Sequence, residues 1–348
     1  MSPSRVLALA ALATLATSCA GPSRPVAPPA ARGLDITFID IEGGASTLIV
    51  TPAGESLLID SGMPGDRDPA RIVRVAKEQA GLDRIDHHLI THWDIDHYGG
   101  TEQIGAMIPI ARYYDHGPSV ARGDARYEKA YEAYQRIPAE RRRVLRPGDT
   151  IPLQKTENGL PVMLRVVASD GKVVGDNPPS CEAHPPKPES MNDNASSVAC
   201  VLSYGPFKLY DGADLLWNLE HRLACPKNYI GTVDVFHVTH HGLPVSNNPA
   251  LVNALRPCVS VMCNGDRKGC DPSVLKTLKE CPGLEASFQM HLSLKVPPGQ
   301  QAPAARIANR LPEQSCPGEN IVLRVAPDGA SYTVTVGSQA TPERFETR

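Results

Sequence analysis

The chain has 348 residues, 41% hydrophobic and 21% charged, which is enough apolar material for a large core and excludes a disordered polymer. A formal net charge of -3 excludes a global pull toward nucleic acid or anionic lipid, though not a local basic patch. Aromatic residues make up 5%, too few for a platform on which single-stranded bases would stack, and no clear nucleic-acid-binding patch is read.

The first 18 residues read as a signal peptide. Arg5 supplies the positive start, and Val6 to Ala16 form an apolar stretch too short for an ordinary membrane helix. Ala16-Thr17-Ser18 before Cys19 resembles a lipoprotein cleavage box, with alanine where that pattern prefers leucine. The expectation is an exported protein, periplasmic or membrane-anchored by lipid on Cys19, with no transmembrane span in the mature chain. Simple cleavage nearby, with Cys19 lost or free, is the alternative. Residues 19–33, rich in proline and alanine, read as a tether, and residues 34–348 as the folded domain.

Residues 34–41 alternate like a half-buried strand, and runs at 46–51 and 55–60 follow around the turn Pro52-Ala53-Gly54. Residues 68–80 carry Ile72, Val73, Val75 and Ala76 at helical spacing. A short apolar strand at 87–91 leads into His92. A helix at 101–107 follows Gly99-Gly100, then a strand at 112–115 and a polar, tyrosine-rich helix at 127–136, read as part of an insertion over the site. Further strands are expected at 162–167, 197–203, 207–210, 233–238, 259–262, 320–325 and 331–336, and helices at 249–255 and 274–280; residues 171–188 read as a proline-rich loop. This order suits an α/β fold of two sheets packed face to face with helices outside.

Setting Cys19 aside leaves eight cysteines, Cys181, Cys200, Cys225, Cys258, Cys263, Cys270, Cys281 and Cys316, with no CxxC pair. An exported protein with this count is expected to form disulfides, while Cys200 reads as a small buried apolar residue.

The chemistry concentrates in Thr91-His92-Trp93-Asp94-Ile95-Asp96-His97-Tyr98-Gly99-Gly100. Four potential ligands fall within six residues, after an apolar strand and before a glycine turn. A loop at a strand end can aim such neighbours at one metal or at two, which a regular helix or strand could not. Imidazole and carboxylate suit zinc first, with manganese or iron also acceptable.

The run resembles the His-x-His-x-Asp-His signature of the metallo-β-lactamase superfamily, with Asp94 in place of its second histidine, a departure similar to that of the ComEC-type competence proteins' hydrolase-like domain. Phe38 to Gly44 and Leu57 to Gly62 are similar to that family's opening strands. Asn192 to Ser197, Gly212-Ala213-Asp214 and His240-His241-Gly242 follow in its order. The resemblance implies the metallo-β-lactamase fold, an αββα sandwich of two mixed sheets flanked by helices, holding one or two divalent ions.

Position by position, the resemblance implies His92, Asp94, Asp96, His97, Asp214 and His241 as metal ligands, with His240 facing substrate. It gives Asp60 the role of supporting the metal loop. The family's glycine before the bridging aspartate is Ala213 here. Its separate mid-chain histidine has no clear counterpart, and Asn194 is the candidate in that place. Fewer imidazoles should weaken the nitrogen-rich position and leave the other comparatively intact.

A divalent ion brings the pKa of water from 15.7 toward about 7. Asp96 or Asp214 would orient the nucleophile and take its proton. A protonated His240, or His116 at the end of a strand, would assist the leaving group. Arg267 and Lys268 would hold an anionic substrate, or else simply form a charged turn. His291 reads as a core histidine, and His87, His88, His184 and His221 as structural or solvent-facing. The function expected is a metal-dependent hydrolase of a small molecule or phosphodiester; the alternative is a scaffold lipoprotein with a degenerate metal site.

Overall fold

In the computed structural model the described residues are 32–118, 125–151, 153, 159–175, 185–188, 192–312, 315–338 and 340–348. The signal peptide, most of the tether, Cys19, Cys181 and His184 lie outside them.

The strands in chain order begin with β1 Leu34–Phe38, β2 Thr47–Val50, β3 Ser56–Ile59, β4 Ile85–Leu89, β5 Ile110–Asp115 and β6 Arg142–Val144. Next come β7 Thr150–Ile151, β8 Val162–Ser169, β9 Lys172–Val173, β10 Ala199–Tyr204, β11 Phe207–Asp211 and β12 Val235–His237. The last six are β13 Val259–Met262, β14 Ala286–His291, β15 Ile307–Asn309, β16 Ile321–Val325, β17 Ser331–Val336 and β18 Glu343–Glu346. One sheet runs β18-β17-β16-β1-β2-β3-β4-β5-β6 and the other β15-β14-β13-β12-β11-β10-β8-β7, with β9 paired to β8.

Each sheet has a parallel half. β3 pairs β4 and β4 pairs β5 in parallel, as do β11 with β12 and β12 with β13. Parallel strands are covered on both faces, which is why β3 and β13 are buried at every position while β1 alternates.

Leu34, Ile36 and Phe38 of the first sheet share a core with Leu164, Val166 and Leu202 of the second. Helices α1 Arg67–Arg74, α2 Ile95–Tyr98, α3 Thr101–Met107 and α4 Ala125–Gln135 belong to the first half. Helices α5 Trp217–Ala224, α6 Pro249–Leu255 and α7 Pro272–Glu280 belong to the second. Ile72 and Ile104 cover one outer face with Leu58, and Leu223, Leu251 and Val274 cover the other with Phe236. Asn248 and Asp271 accept from backbone N–H groups two residues on, capping α6 and α7 ahead of a proline in each first turn.

The single helix expected over 68–80 is α1 followed by a π turn at Val75–Gln79, whose last bond runs from Ala80 N to Val75 O. Helix α5 and the short strands β6, β7, β15 and β18 were not read from the sequence. Cys200, Cys258, Cys263, Cys270, Cys281 and Cys316 are free thiols and Cys225 is disulfide-bonded, so the expected framework does not extend to those six. Five of the six are buried among apolar side chains, where a thiol acts as a small hydrophobe. Among the described residues no helix is long and apolar enough to cross a membrane.

Candidate metal centre

The candidate ligands lie where the parallel strands of both sheets end, the usual place for sites in open α/β sheets. His92 follows β4. Asp94, extended at φ -75° and ψ 139°, precedes the single turn α2, which carries Asp96 and His97. Trp93 points away from its neighbours and is fully buried among Tyr98, Tyr131 and Tyr134, each ring about edge-on to it. The helix expected over the site, α4, therefore seats the metal loop instead. Gly44 is required beside that loop, since a side chain there would lie 2.6 Å from the Asp96 carbonyl oxygen.

Asp214 follows β11, and its Oδ2 lies 3.2 Å from His240 Nε2, 3.3 Å from His97 Nε2, 3.4 Å from His241 Nε2 and 3.9 Å from His92 Nε2. Asp94 Oδ2 stands 3.7 Å from His92 Nε2 and Asp96 Oδ2 stands 3.6 Å from His97 Nε2. Two groups of three converging ligand atoms result, His92 with His97 and Asp214, and Asp96 with His97 and His241.

The tautomers decide whether a cation fits. His97 Nδ1 is 2.7 Å from Asp60 Oδ2, and His241 Nδ1 is 3.0 Å from the Cys263 carbonyl oxygen. Both partners can only accept, so both Nδ1 atoms carry hydrogen and both Nε2 atoms are lone pairs in the neutral rings. Those two Nε2 atoms face each other at 3.2 Å. Lone pairs so placed repel unless a proton or a metal ion lies between them. The buried Nε2 of His92 has no hydrogen-bond partner either. The donor set fits a divalent ion.

Burial opposes charge on these groups, and their neighbours reverse it for the carboxylates. His97 and His241 help hold Asp214 and Asp96 well below the usual carboxylate range, and Asp214, Asp60 and Asp96 raise His97 well above the usual imidazole value. His240 goes the other way. Burial pushes it down to about 4, with His241, His92 and His97 adding to the effect against Asp214. That direction runs against the protonated His240 expected from the sequence, and its Nδ1 lies 3.1 Å from Ser246 Oγ.

Asp60 accepts from Thr91 N and Oγ1 as well as pairing with His97. Asn194, on the turn Asp193–Ser196, brings Nδ2 to 3.4 Å from His240 Nε2. His116 is not a free acid-base group. Its Nε2 lies 3.0 Å from Asp193 Oδ2, and that same oxygen accepts from Trp93 N at 2.5 Å. This buried pair ties the strand end at His116 to the metal loop at Trp93. Arg267 is exposed, whereas Lys268, its side chain part-exposed, donates to Asp96 Oδ2 at 2.5 Å.

Other contacts were not read from the sequence. Asp211 Oδ2 lies 3.1 Å from His237 Nδ1, and His237 Nε2 lies 3.3 Å from Cys263 Sγ, a buried row directly behind the cluster. Asp211 also accepts from Ala213 N and so holds the turn that presents Asp214. His291 pairs with Asp40 at 2.6 Å, His87 with Glu55 at 2.9 Å, and His88 with Thr101, all buried as structural partners. Strand-end Asp211 and strand-end His237 carried a signal, since two ionisable residues closing adjacent apolar runs must find partners.

Residues 40–184 match the family model of the metallo-beta-lactamase superfamily. No curated protein matches the chain. Among solved structures, a mutant of the CmlA beta-hydroxylase is similar at TM-score 0.45 and 13% identity, over 74% of this chain and 52% of that one. This chain thus spans about half of that protein's length. A proposed metal-dependent hydrolase of Parabacteroides distasonis is similar at TM-score 0.39 and 15% identity, over 74% of this chain and 92% of that one. A subclass B3 metallo-beta-lactamase from a soil metagenome library is similar at 0.33 and 14%, over 75% and 77%. The chain has the metallo-β-lactamase fold and carries, over residues 40–184, the domain of the metallo-beta-lactamase superfamily.

Proposed function

We propose that the chain is an exported metal-dependent hydrolase acting on a phosphodiester or another ester. The observation that carries this reading is the convergence of His97 Nε2 and His241 Nε2, 3.2 Å apart, on the carboxylate of Asp214. An ion held by His92, His97, Asp214 and His241, with Asp94 or Asp96, would supply Lewis acidity, acidifying water and polarising the ester under attack. Zinc, manganese and iron all suit that donor set.

Within this reading the chain's own groups divide the remaining work. Asp60 and the Cys263 carbonyl fix two imidazoles so that little reorganisation is needed when substrate arrives. Asp94 is the carboxylate of the cluster most open to solvent, its side chain 37% exposed against 18% for Asp96 and 4% for Asp214. It is better placed than Asp96 to take a proton from the attacking water. Neutral His240, steadied by Ser246 and facing Asn194, would orient substrate and accept a hydrogen bond.

The order of motifs shared with ComEC-type domains favours a phosphodiester. Export rests on the apolar stretch after Arg5 and on the disulfide at Cys225, and anchoring through Cys19 on the sequence before it. The scaffold reading draws support from Lys268, which already supplies a positive charge to Asp96. The test is turnover of generic phosphodiester, ester and lactam substrates by protein reloaded with zinc, manganese or iron. Metal-dependent turnover that is lost in Asp214→Asn supports the hydrolase. Less than about half an equivalent of bound metal, with chelator-insensitive stability, supports the scaffold.

A further inference from the structure

We infer that Lys268 sets how many metal ions the cluster holds, admitting one tightly at the His92–Asp94–Asp214 side and disfavouring a second at Asp96; this rests on the metal reading above. A single atom is contested. Asp96 Oδ2 is the carboxylate oxygen near both His97 Nε2, at 3.6 Å, and His241 Nε2, at 3.5 Å. It is therefore the oxygen that would complete the second group of ligands, and Lys268 Nζ occupies it at 2.5 Å.

The lysine is built into place. Its turn is closed by Gly265 N donating to Lys268 O, and the backbone at Gly265 packs closely on Glu42 and Gly43. The next residue, Gly269, is left-handed at φ +75°, and a side chain there would lie 1.8 Å from the His241 carbonyl oxygen. Cys270 N donates to that same His241 oxygen, and Asp271 N to Gly242 O. The loop that carries Lys268 is thus tied to the backbone of the ligand His241.

Charge then separates the two positions. No lysine or arginine among the described residues pairs with Asp94 or Asp214, so a dication there meets two carboxylates whose ionic neighbours are imidazoles that can give up a proton to it. The Asp96 position has one carboxylate of its own beside the shared Asp214, and that one is already neutralised by an ammonium in direct contact. A second dication must displace the lysine or bind beside its charge. This reverses the expectation from residue types alone, in which the nitrogen-rich position was the weaker one.

The experiment uses the full chain stripped of metal and titrated with zinc or manganese, read by calorimetry and by native mass spectrometry. Lys268→Met removes the charge at similar length, Lys268→Arg keeps it, and thermal melts confirm that each variant folds. Lys268→Gln serves as the charge-free variant if the methionine form does not fold. The expected result is one tight ion in the natural chain with the second at least tenfold weaker. The charge-free variant should tighten the second ion at least tenfold, leave the first within threefold, and differ from Lys268→Arg, which should behave like the natural chain. A second-ion affinity that is the same within threefold with and without the lysine charge overturns this inference alone. Absence of binding by every form overturns the metal reading itself, and this inference with it.

Discussion

Asp60 binds His97 and the strand end at once: one carboxylate takes the Nδ1 hydrogen of His97 at 2.7 Å and both the N–H and the hydroxyl of Thr91 at 2.8 and 2.7 Å. It fixes the ring's tautomer and the loop's starting point together. Asp60→Ala should therefore weaken metal binding roughly 10–100-fold, as loss of such supporting partners usually does. It should also cost about 1–3 kcal/mol of stability for the donors left bare. Competition titration against a chelator and denaturant melts measure the two effects. Unchanged metal affinity in a folded variant would show that His97 needs no such guide.

Asp214 places one oxygen within 4 Å of four imidazole nitrogens. Asp214→Asn keeps the shape and removes the charge, so ion affinity should fall at least 100-fold and hydrolysis with it. Elemental analysis after dialysis checks the first part. An asparagine variant that keeps a full equivalent of metal contradicts the shared-ligand arrangement.

The Asp193 carboxylate joins His116 to the backbone N–H of Trp93. Removing that carboxylate leaves the buried Trp93 N–H and His116 without their acceptor, at about 1–3 kcal/mol for each, so Asp193→Ala should be strongly destabilised. His116→Gln should lose less and should lower metal affinity only through slackening of the loop. Urea melts rank the two variants. A His116→Gln protein with natural stability and metal content but no turnover would restore a catalytic role to His116.

Glu220 is fully buried and pushed up to about 8 by burial, its Oε2 accepting from Asn248 N at 2.7 Å. Its folded value lies above its unfolded value of 4.5, so the folded chain holds the extra proton between those limits. Stability from this group is full below about pH 4.5 and is lost as pH rises toward 8. Glu220→Gln mimics the protonated acid and should escape that loss. The melting temperature of the variant minus that of the natural chain should become more positive from pH 5 to pH 8. A difference that stays flat across this range argues that Glu220 is charged in the fold.

What the sequence made legible was local. The strand at 259–262, the helices at 101–107 and 249–255 and the closing strand at 331–336 match their elements because apolar spacing and caps are written in adjacent residues. The candidate cluster at residues 92–97 was legible for the same reason, and its convergence with Asp214 and His241 through motif order. Contacts between distant segments were not. Lys268 meets Asp96 across 172 positions and His116 meets Asp193 across 77. Nothing in a charged turn or a strand-end histidine says which carboxylate the fold will bring to it. The disulfide expectation failed for five cysteines, Cys200 aside, because their count says nothing of whether the core uses each one singly.

Asp60, Ala213, His240 and His241 all have φ between 47° and 60°, where a residue with a side chain is strained by roughly 1–2 kcal/mol. Three of the four are candidate site residues, and the fourth, Ala213, precedes a candidate ligand. Glycine would relax every one of these positions and would delete the chemistry at three. Selection of this chain for heat resistance alone would therefore drift toward a sturdier, inert protein, and a library meant to preserve turnover has to hold those three side chains fixed.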